Sequence, residues 1–302
     1  TCSGIGDAIP TVLTMTVVPI LGAGSSMADY RIGFKWWALI IAVVFVISEL
    51  VCVVCVPERP VACDEKSGKI SDMFKALFKN DQAMTVVVSI ILVYTSLNIC
   101  GNLVLYFFRF DVGNEGAYSI FAAVAFAAQV LVMMVIPLLR KRFSKSQLFI
   151  SGFIIQIAGF AVILIMAFAK LYTPQSWYIL CLPGILIYLG YGMLNVIMTI
   201  FLSDSVDYGE VMNGTREESV IFSMQTFTVK LASGVAVFLA GLVVDWIHLD
   251  TAAAVQTQDT LDALRMWMTI PSVILLIVGI FVFKRFYKLD DTRMEEIKSK
   301  LN

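Results

Sequence analysis

The sequence carries little charge for its length. Asp, Glu, Lys and Arg together make up 15% of its 302 residues, whereas about a quarter is usual in soluble domains. The formal net charge is −1, so no basic excess indicates a nucleic-acid partner. Hydrophobic residues instead account for 59% of the chain, and the mean hydropathy is +0.85. This composition excludes an ordinary soluble domain and predicts no nucleic-acid binding.

The residues and motifs that most enzymes need are also scarce. His248 is the only histidine, and no Walker loop, dinucleotide-binding glycine motif, zinc-binding spacing or nucleophile elbow occurs. Cys52 and Cys55 form a C-x-x-C pair, but no histidine or second cysteine pair accompanies it. Their apolar surroundings favour packing as small hydrophobes over a redox or metal role. We therefore predict no enzymatic activity, no metal site and no cofactor.

Long apolar runs are what the sequence has in abundance. Each run is long enough to cross the roughly 30 Å hydrocarbon core of a bilayer as a helix. We predict an all-α polytopic membrane protein with about eight transmembrane helices. Their predicted ranges are 3–22, 36–56, 83–108, 117–139, 148–169, 177–202, 219–247 and 264–286.

The connections between these helices predict the orientation of the chain. Most Lys and Arg residues fall in the connection 57–82, in the turn 140–145 and in the tail 287–302, and the positive-inside rule places these segments in the cytoplasm. Within the first of them, apolar residues at helical spacing over 70–78 predict an amphipathic helix on the membrane surface; a solvated linker is the alternative. The chain starts at Thr1 without the features of a signal peptide, and we expect an amino-terminal part to precede it.

Lys230 is the residue for which a function is most strongly expected. It lies roughly 16 Å into its predicted helix, near the bilayer midplane. A charge at that depth is costly and should face the bundle interior or a water-filled cavity. Ser223, Thr226 and Ser233 share its face, and Gln225 flanks it. Such a stripe can hydrogen-bond a hydroxyl-rich ligand or pair with carboxylates of another helix; a purely structural ion pair is the alternative.

Three acidic residues, Asp204, Asp207 and Glu210, follow one another at helical spacing where the helix 177–202 ends. Carboxylates at this end of a helix oppose its macrodipole and need cations nearby. Arg216, the basic turn 140–142 or a preceding part of the chain could supply them. An ion-pair cluster that forms when the cytoplasmic side closes would explain the pattern, and solvated loop charge is the alternative.

Other polar residues are isolated within apolar helices. Glu49 is interpreted as a proton or cation site, a partner of Lys230, or an interfacial residue. Four single amides either face a cavity or bond a neighbouring helix: Asn98, Gln129, Gln156 and Asn195.

The stretch from Ser203 to Lys230 carries a more specific pattern. D-x-x-D-Y-G-E covers 204–210, and Gly214, Arg216, Phe222-Ser223, Gln225-Thr226 and Val229-Lys230 follow it. This combination resembles the glycoside-pentoside-hexuronide:cation symporters of the major facilitator superfamily, the melibiose-carrier group. Weaker similarity extends over the rest of the chain.

The resemblance implies that the chain corresponds to helices 5–12 of a twelve-helix major facilitator fold, its carboxyl-terminal part. Residues 1–56 would then be the last two helices of the amino-terminal half, and 57–82 the central cytoplasmic loop. Residues 83–286 would form the six-helix carboxyl-terminal half, followed by the cytoplasmic tail 287–302.

The function implied by the resemblance is secondary active transport in the bacterial cytoplasmic membrane. A sugar, in the form of a glycoside or oligosaccharide, would enter with Na⁺ or H⁺ by alternating access, at a site near the midplane between the two halves. The family's cation-binding carboxylates lie mainly on helices 2 and 4, so the expected partners are the sugar, the coupling cation, the lipid bilayer and amino-terminal helices of the same protein.

Individual residues take their expected roles from their place in the family pattern. Lys230 matches the family's helix 11 lysine, and Thr226 and Gln225 match its sugar-side neighbours. We predict these three and Asn195 as sugar-binding residues. The predicted coupling or gating residues are Asp204, Asp207, Glu210, Arg216 and Glu49. Two alternatives remain open: a non-transporting sugar sensor or scaffold on the same helices, and a lipid or amphiphile carrier of related fold.

Overall fold

The computed structural model describes residues 13, 14, 16–23, 27–55, 78–214, 218–251, 253 and 255–301. Over these residues the regular structure is helical and no strand occurs. The chain divides into two compact units, Thr1–Gly68 and Lys69–Asn302. The predicted surface helix at 70–78 lies, except for its last residue, outside the described part of the chain.

The first unit contains a helical stretch at 16–22 and the long helix α1, Met27–Cys55. The two are packed closely, because a Cβ on Gly33 would lie 2.1 Å from the carbonyl oxygen of Val18. Trp37 Nε1 also donates a hydrogen bond of 2.8 Å to Thr14 Oγ1. α1 therefore begins well before the predicted residue 36, since the preceding turns are held by these contacts.

The second unit consists of six long helices and a short one at the tail. The long helices are α2 (Asp81–Tyr106), α3 (Ala117–Leu139), α4 (Lys145–Phe168), α5 (Cys181–Asn213), α6 (Glu218–Trp246) and α7 (Gln258–Phe286); the tail helix is α8 (Asp291–Leu301). A π-helical turn, Phe107–Asp111, continues α2, and a 3₁₀ turn, Trp177–Leu180, precedes α5.

Seven helices among the described residues are long and apolar enough to cross a membrane, namely α1 to α7. This confirms the predicted all-α polytopic membrane fold. About half of the eighth predicted span, 3–22, lies outside the described residues.

Two helices of the second unit extend well beyond their predicted ends. α5 does not stop at 202 but continues to Asn213, and Gly214 ends it with a φ of 72°, a left-handed conformation that glycine adopts without strain. α7 begins at Gln258 rather than 264, because the Thr257 side chain caps it by accepting a hydrogen bond from the Thr260 N–H. Asp204, Asp207 and Glu210 consequently lie on the last turns of α5.

The helices of the second unit are arranged around α2, which packs on α5, α6 and α7, while α5 packs on α3 and α4. Aromatic rings join α4, α5 and α7 near the first turn of α4: Phe149, Phe153, Phe201, Phe283 and Tyr287. The tail helix α8 lies on the end of α5, where Leu289, Met294 and Ile297 pack against Tyr208 and Val211.

The interface between α4 and α5 depends on glycine. A Cβ on Gly190 would lie 2.6 Å from the carbonyl oxygen of Gly152, and one on Gly159 would lie 2.7 Å from Ile187 Cγ1. Small residues permit such close approach of membrane helices, where van der Waals packing drives association.

We expect Gly190→Ala to lower the stability of the folded protein by about 1–3 kcal/mol, because the added methyl group meets fixed backbone of α4. Gly241→Ala on α6 is the matched control, since nothing lies within 4 Å of the Cβ it would add. Thermal unfolding of both variants in detergent micelles measures the difference. Equal unfolding temperatures would contradict the close helix contact.

Candidate functional site

One face of α6 is polar and exposed although the helix is a membrane span. Lys230, Thr226 and Ser223 are exposed on this face, and Gln225 beside them is half-buried. On the other side of the helix, small residues are buried in the bundle, in the stripe Ala232, Ala236 and Ala240. Among the described residues, the six-helix unit leaves Lys230 exposed. That it faces a bundle interior or a water-filled cavity stays a prediction.

The alternative of a structural ion pair for Lys230 also finds no support in the described part of the chain, where no carboxylate lies within 4.0 Å of its ammonium group. Thr226 Oγ1 donates a 3.3 Å hydrogen bond to the Phe222 carbonyl of its own helix. The lysine is thus presented at the surface of this unit, at mid-span, together with hydroxyl groups.

A second polar cluster lies where the middle parts of α2, α3 and α5 meet. Asn195 Nδ2 donates a 2.6 Å hydrogen bond to Tyr94 Oη, and the Tyr94 ring lies edge-on to Tyr191 with centroids 5.5 Å apart. The ring centroid of Tyr188 lies 6.4 Å from that of Tyr191 and 5.3 Å from that of Phe126. The structure thus places the predicted residue Asn195 in an aromatic cluster that the sequence analysis missed.

The sequence did contain a signal for this cluster. Membrane-spanning helices place most of their tyrosines at the interfaces, whereas Tyr94 and Tyr191 lie in the middle of spans. Tyr188, Tyr191 and Asn195 also follow one another at i, i+3 and i+7, the spacing of one helix face. Asn98, one turn beyond Tyr94, donates a 2.7 Å hydrogen bond to the Tyr94 carbonyl and so bonds its own helix rather than a neighbour.

The two buried glutamines differ from these amides. Gln156 is fully buried and neither of its polar side-chain atoms has a hydrogen-bond partner among the described residues; the same holds for Oε1 of Gln129. Gln156 lies against Gly190, one of the glycines at which α4 and α5 approach closely. Its burial therefore follows from this helix contact.

Asp204, the first of the three acidic residues at the end of α5, pairs with a residue that was not predicted as its partner. Lys145, the first residue of α4, forms a buried ion pair with Asp204 and lies 3.4 Å from Asp291 of α8. Arg140, one of the predicted partners, instead lies 3.5 Å from Asp291. Arg216, another cation predicted to lie near the three acidic residues of α5, is outside the described residues, so a cluster that includes it stays a prediction.

Tyr287 packs beside this ion-pair cluster. Burial, followed by the negative charges of Asp204 and Asp291, raises the pKa of its hydroxyl, so the side chain stays neutral there. Asp207 and Glu210 are half-buried on the following turns of α5, and Glu49 is exposed on α1 of the first unit.

The glycine of the D-Y-G-E pattern has a clear structural role. Asn80 caps α2 by accepting from the Ala83 N–H at 2.9 Å, and its Nδ2 donates to the Ser205 carbonyl at 2.8 Å. A Cβ on Gly209 would lie 2.8 Å from that same nitrogen. The absence of a side chain at 209 therefore lets the start of α2 lie against the end of α5.

The opposite end of the bundle contains a second buried ion pair. Arg265 of α7 binds Asp111, which ends the π-helical turn, with Nε to Oδ2 at 2.8 Å and Nη2 to Oδ1 at 2.5 Å. Arg265 Nη1 also lies 2.7 Å from Asp262 Oδ1. Only 4% of the Arg265 side chain and 3% of the Asp111 side chain are exposed.

Tyr172, in the loop between α4 and α5, completes this second cluster by donating a 2.6 Å hydrogen bond to Asp111 Oδ2. Burial, together with the Asp111 charge, raises the pKa of Tyr172, so the phenol keeps the proton it donates. Sequence reasoning missed this cluster because its members are separated by long stretches of chain.

Comparison with known families identifies the fold described above. The family whose description is MFS/sugar transport protein matches residues 2–291. The chain belongs to this family. It is therefore a multi-pass membrane protein of the major facilitator superfamily, and the resemblance to the glycoside-pentoside-hexuronide:cation symporters is confirmed.

Known relatives share about a quarter of their residues with the chain over the aligned lengths. The raffinose carrier protein of Pediococcus pentosaceus is 24% identical over 99% of this chain and 46% of its own length. The isoprimeverose transporter of Lactiplantibacillus pentosus is 25% identical over 95% of this chain and 58% of its own length. The lactose permease of Lactobacillus delbrueckii subsp. bulgaricus is 24% identical over 89% of this chain and 42% of its own length. The chain spans about half the length of these relatives.

Proposed function

We propose that the chain takes part in sugar:cation symport, acting with helices that correspond to the amino-terminal part of its relatives. The observation that carries this proposal is the exposed face of α6 with Lys230 at mid-span. On insertion scales an ammonium group at the helix centre costs about 2.5–3.5 kcal/mol if it faces lipid. This face therefore needs a polar surface, water or a polar ligand next to it.

The chemistry of this face fits a sugar. Hydroxyl oxygens of a glycoside accept hydrogen bonds from the Lys230 ammonium group, and Thr226 and Gln225 offer both donors and acceptors. The cost of the unpaired charge is then offset when ligand or water occupies the site. An apolar substrate would leave the ammonium group without partners, which weighs against the lipid or amphiphile carrier.

The aromatic cluster around Asn195 supplies the other type of contact that sugar sites use. Tyr94, Tyr188 and Tyr191 offer ring faces and hydroxyl groups, and aromatic walls with a few placed polar groups are typical of small-molecule sites. α2, which bears Tyr94, packs directly on α6. Both polar clusters lie in the middle of their spans, where the substrates of such transporters bind.

The coupling cation is proposed to be Na⁺ or H⁺. The residues of this chain proposed for coupling or gating are Glu49, Asp204, Asp207, Glu210 and Arg216, with the main cation-binding carboxylates on the preceding helices. By the positive-inside rule the Lys145 end of the bundle faces the cytoplasm, and the membrane is proposed to be the bacterial cytoplasmic membrane.

The experiment that tests this proposal is uptake of raffinose, isoprimeverose and lactose by cells or vesicles that contain the protein with its preceding helices. We expect accumulation of at least one glycoside under an imposed Na⁺ or pH gradient, and its loss when an ionophore collapses the gradient. Sugar binding without accumulation would favour the sensor or scaffold. Indifference to all glycosides would overturn the proposal.

A conservative substitution tests the aromatic cluster separately. Tyr94→Phe removes the oxygen that accepts from Asn195, so the amide is no longer held in place. We expect the dissociation constant for sugar to rise about fivefold, corresponding to one lost hydrogen bond of about 1 kcal/mol. Titration calorimetry of the protein in nanodiscs measures it, with Tyr178→Phe at an exposed position as the control. Equal effects of the two changes would remove Tyr94 from the site.

A further inference from the structure

Two asparagines of α2, Asn98 and Asn102, lie on the floor of a cleft between α5 and α6. On one side of them, Tyr94 of α2 bonds Asn195 of α5. On the other side, Ile99 of α2 lines an apolar groove together with residues of α6 and α7. With 3.6 residues per turn, the two asparagines point between these two directions, and both are half-buried. The helices α5 and α6 therefore flank them.

The α6 wall of this cleft is its polar edge. α6 packs on α2 through its buried stripe of alanines, and Leu239 at one edge of that stripe lines the groove toward α7. By helical periodicity, Thr226 and Ser233 lie at the other edge, which is turned away from α7, and Lys230 follows on the same side. The hydroxyl groups of α6 and the asparagines of α2 thus border one cleft.

The cleft extends along α2 from the depth of Lys230 toward the Arg265 end of the bundle. Lys230 and Tyr94 each lie about three and a half turns from the first residue of their helices. Both helices begin near the end of α5, which the first turn of α2 contacts and α6 follows after a short connection. Asn98 and Asn102 come one and two turns after Tyr94. From Tyr94 to Asn102 this face covers roughly 12 Å, which is longer than a single sugar ring.

The amides of Asn98 and Asn102 are held by their own helix and each retains an acceptor. Asn98 Nδ2 donates a 2.7 Å hydrogen bond to the Tyr94 carbonyl, and Asn102 Nδ2 donates one of 2.7 Å to the Asn98 carbonyl. In the part of the chain that the structure describes, neither Oδ1 accepts a hydrogen bond. Polar atoms without partners inside a membrane span are costly, so these oxygens need donors from a ligand or from another helix.

Sugar hydroxyl groups suit these oxygens, because a hydroxyl group both donates and accepts hydrogen bonds. The Lys230 ammonium group can only donate, so it binds oxygens of a sugar, whereas Asn98 and Asn102 accept from its hydroxyl groups. The floor of the cleft also has space beside them: Gly101 is exposed, and no atom lies within 4 Å of the Cβ that an alanine would add there.

We propose that Asn98 and Asn102 bind sugar hydroxyl groups and that the ligand is a glycoside of at least two rings. This inference rests on the proposed transport of sugar and names the substrate class of the same site. One ring lies at the depth of Lys230, beside Tyr94 and Asn98. The second ring lies one turn farther toward the Arg265 end, where a hydroxyl group donates to Asn102 Oδ1.

Titration calorimetry of the protein with its preceding helices, in nanodiscs, tests the inference. The probes are raffinose, isoprimeverose and lactose, each beside its constituent monosaccharides. For the best-binding oligosaccharide we expect a dissociation constant at least about fivefold lower than for its monosaccharides, because the second ring adds a hydrogen bond. Asn102→Ala should raise the dissociation constant of the oligosaccharide about fivefold and leave that of the monosaccharide unchanged. Asn98→Ala should raise both.

Ser151→Ala is the matched control. Ser151 Oγ also donates to a carbonyl of its own helix, that of Leu148, but it lies on α4, which forms no wall of the cleft. We expect this variant to bind every probe as the wild type does. Thermal unfolding in the same nanodiscs checks that the variants fold, and the comparison of one-ring with longer sugars on the wild type needs no variant.

Three results would overturn the inference. The first is equal affinity of the wild type for an oligosaccharide and its monosaccharides. The second is unchanged binding of all probes by Asn102→Ala; if the wild type still accumulates a glycoside, the proposed transport stands and only the role of the asparagines fails. The third is lower stability of Asn102→Ala with both sugars weakened alike, which would show that another helix supplies the donors. A wild type that binds no sugar would instead overturn the proposed function, and this inference with it.

Discussion

Replacing Lys230 with alanine should abolish gradient-driven sugar uptake while the protein remains inserted in the membrane. The ammonium group is the only charge of α6 between Glu218 and Asp245. Without it, the proposed sugar site has neither this charge nor its strongest hydrogen-bond donor. Hydrogen bonds from charged donors contribute about 1.5–3 kcal/mol each, so the loss of sugar affinity alone should reach one to two orders of magnitude. Uptake of radiolabelled sugar in vesicles measures it.

The stability of this variant separates a functional role from a structural one. A lysine that served a structural ion pair would destabilise the protein on removal, because its carboxylate would remain buried without a partner. Lys230 is exposed on its unit, so we expect no loss of stability. Lys141→Ala in the exposed turn between α3 and α4 is the control for a lost charge. Normal uptake by Lys230→Ala would exclude the lysine from the transport site.

Replacing Asp111 with alanine should destabilise the folded protein by about 3–5 kcal/mol, since it leaves the buried Arg265 without its main partner. The carboxylate accepts two hydrogen bonds from Arg265 and one from Tyr172. Chemical unfolding in micelles measures the change. The control is Glu115→Ala, because the Arg109–Glu115 pair spans 3.8 Å with side chains 43% and 51% exposed, and such exposed pairs contribute at most about 1 kcal/mol.

A double variant shows whether the loss comes from the unpaired charge. Asp111→Ala combined with Arg265→Met removes both charges and retains an apolar side chain at 265. The double variant should be considerably more stable than Asp111→Ala alone, because replacing a buried pair by hydrophobic residues is often neutral. If the stability losses of the single variants Asp111→Ala and Arg265→Met add up in the double variant, the ion pair does not act as a unit.

The sequence predicted the helices well because hydropathy measures what a membrane span requires. The range predicted for α3 agrees with the structure, and α6 differs by one residue at each end. α5 and α7 were predicted too short, since hydropathy reports only the part of a helix that lies in hydrocarbon. Their polar turns beyond the membrane are held by the Thr257 cap and by contacts of α5 with α2 and α8.

The candidate site was predicted only where a single residue carried the signal. Lys230 stands out as a charge in an apolar run, and its depth follows from counting residues. The partners of Asn195, Asp204 and Arg265 could not be found this way. Each is separated from its partner by between 59 and 154 residues, and helical periodicity carries no information about contacts between distant helices.

The two buried ion pairs lie at opposite ends of the same six-helix unit. At one end Lys145 joins α4, α5 and α8; at the other, Arg265 joins α7 to the turn after α2. Spreading either end open would separate buried charges, at a cost of several kcal/mol for each ion. Deformation within the unit is therefore expensive at both ends. For the proposed transport, alternating exposure of a central site would therefore cost less if the six helices tilted together as one block, with their outer and inner ends moving in opposite directions.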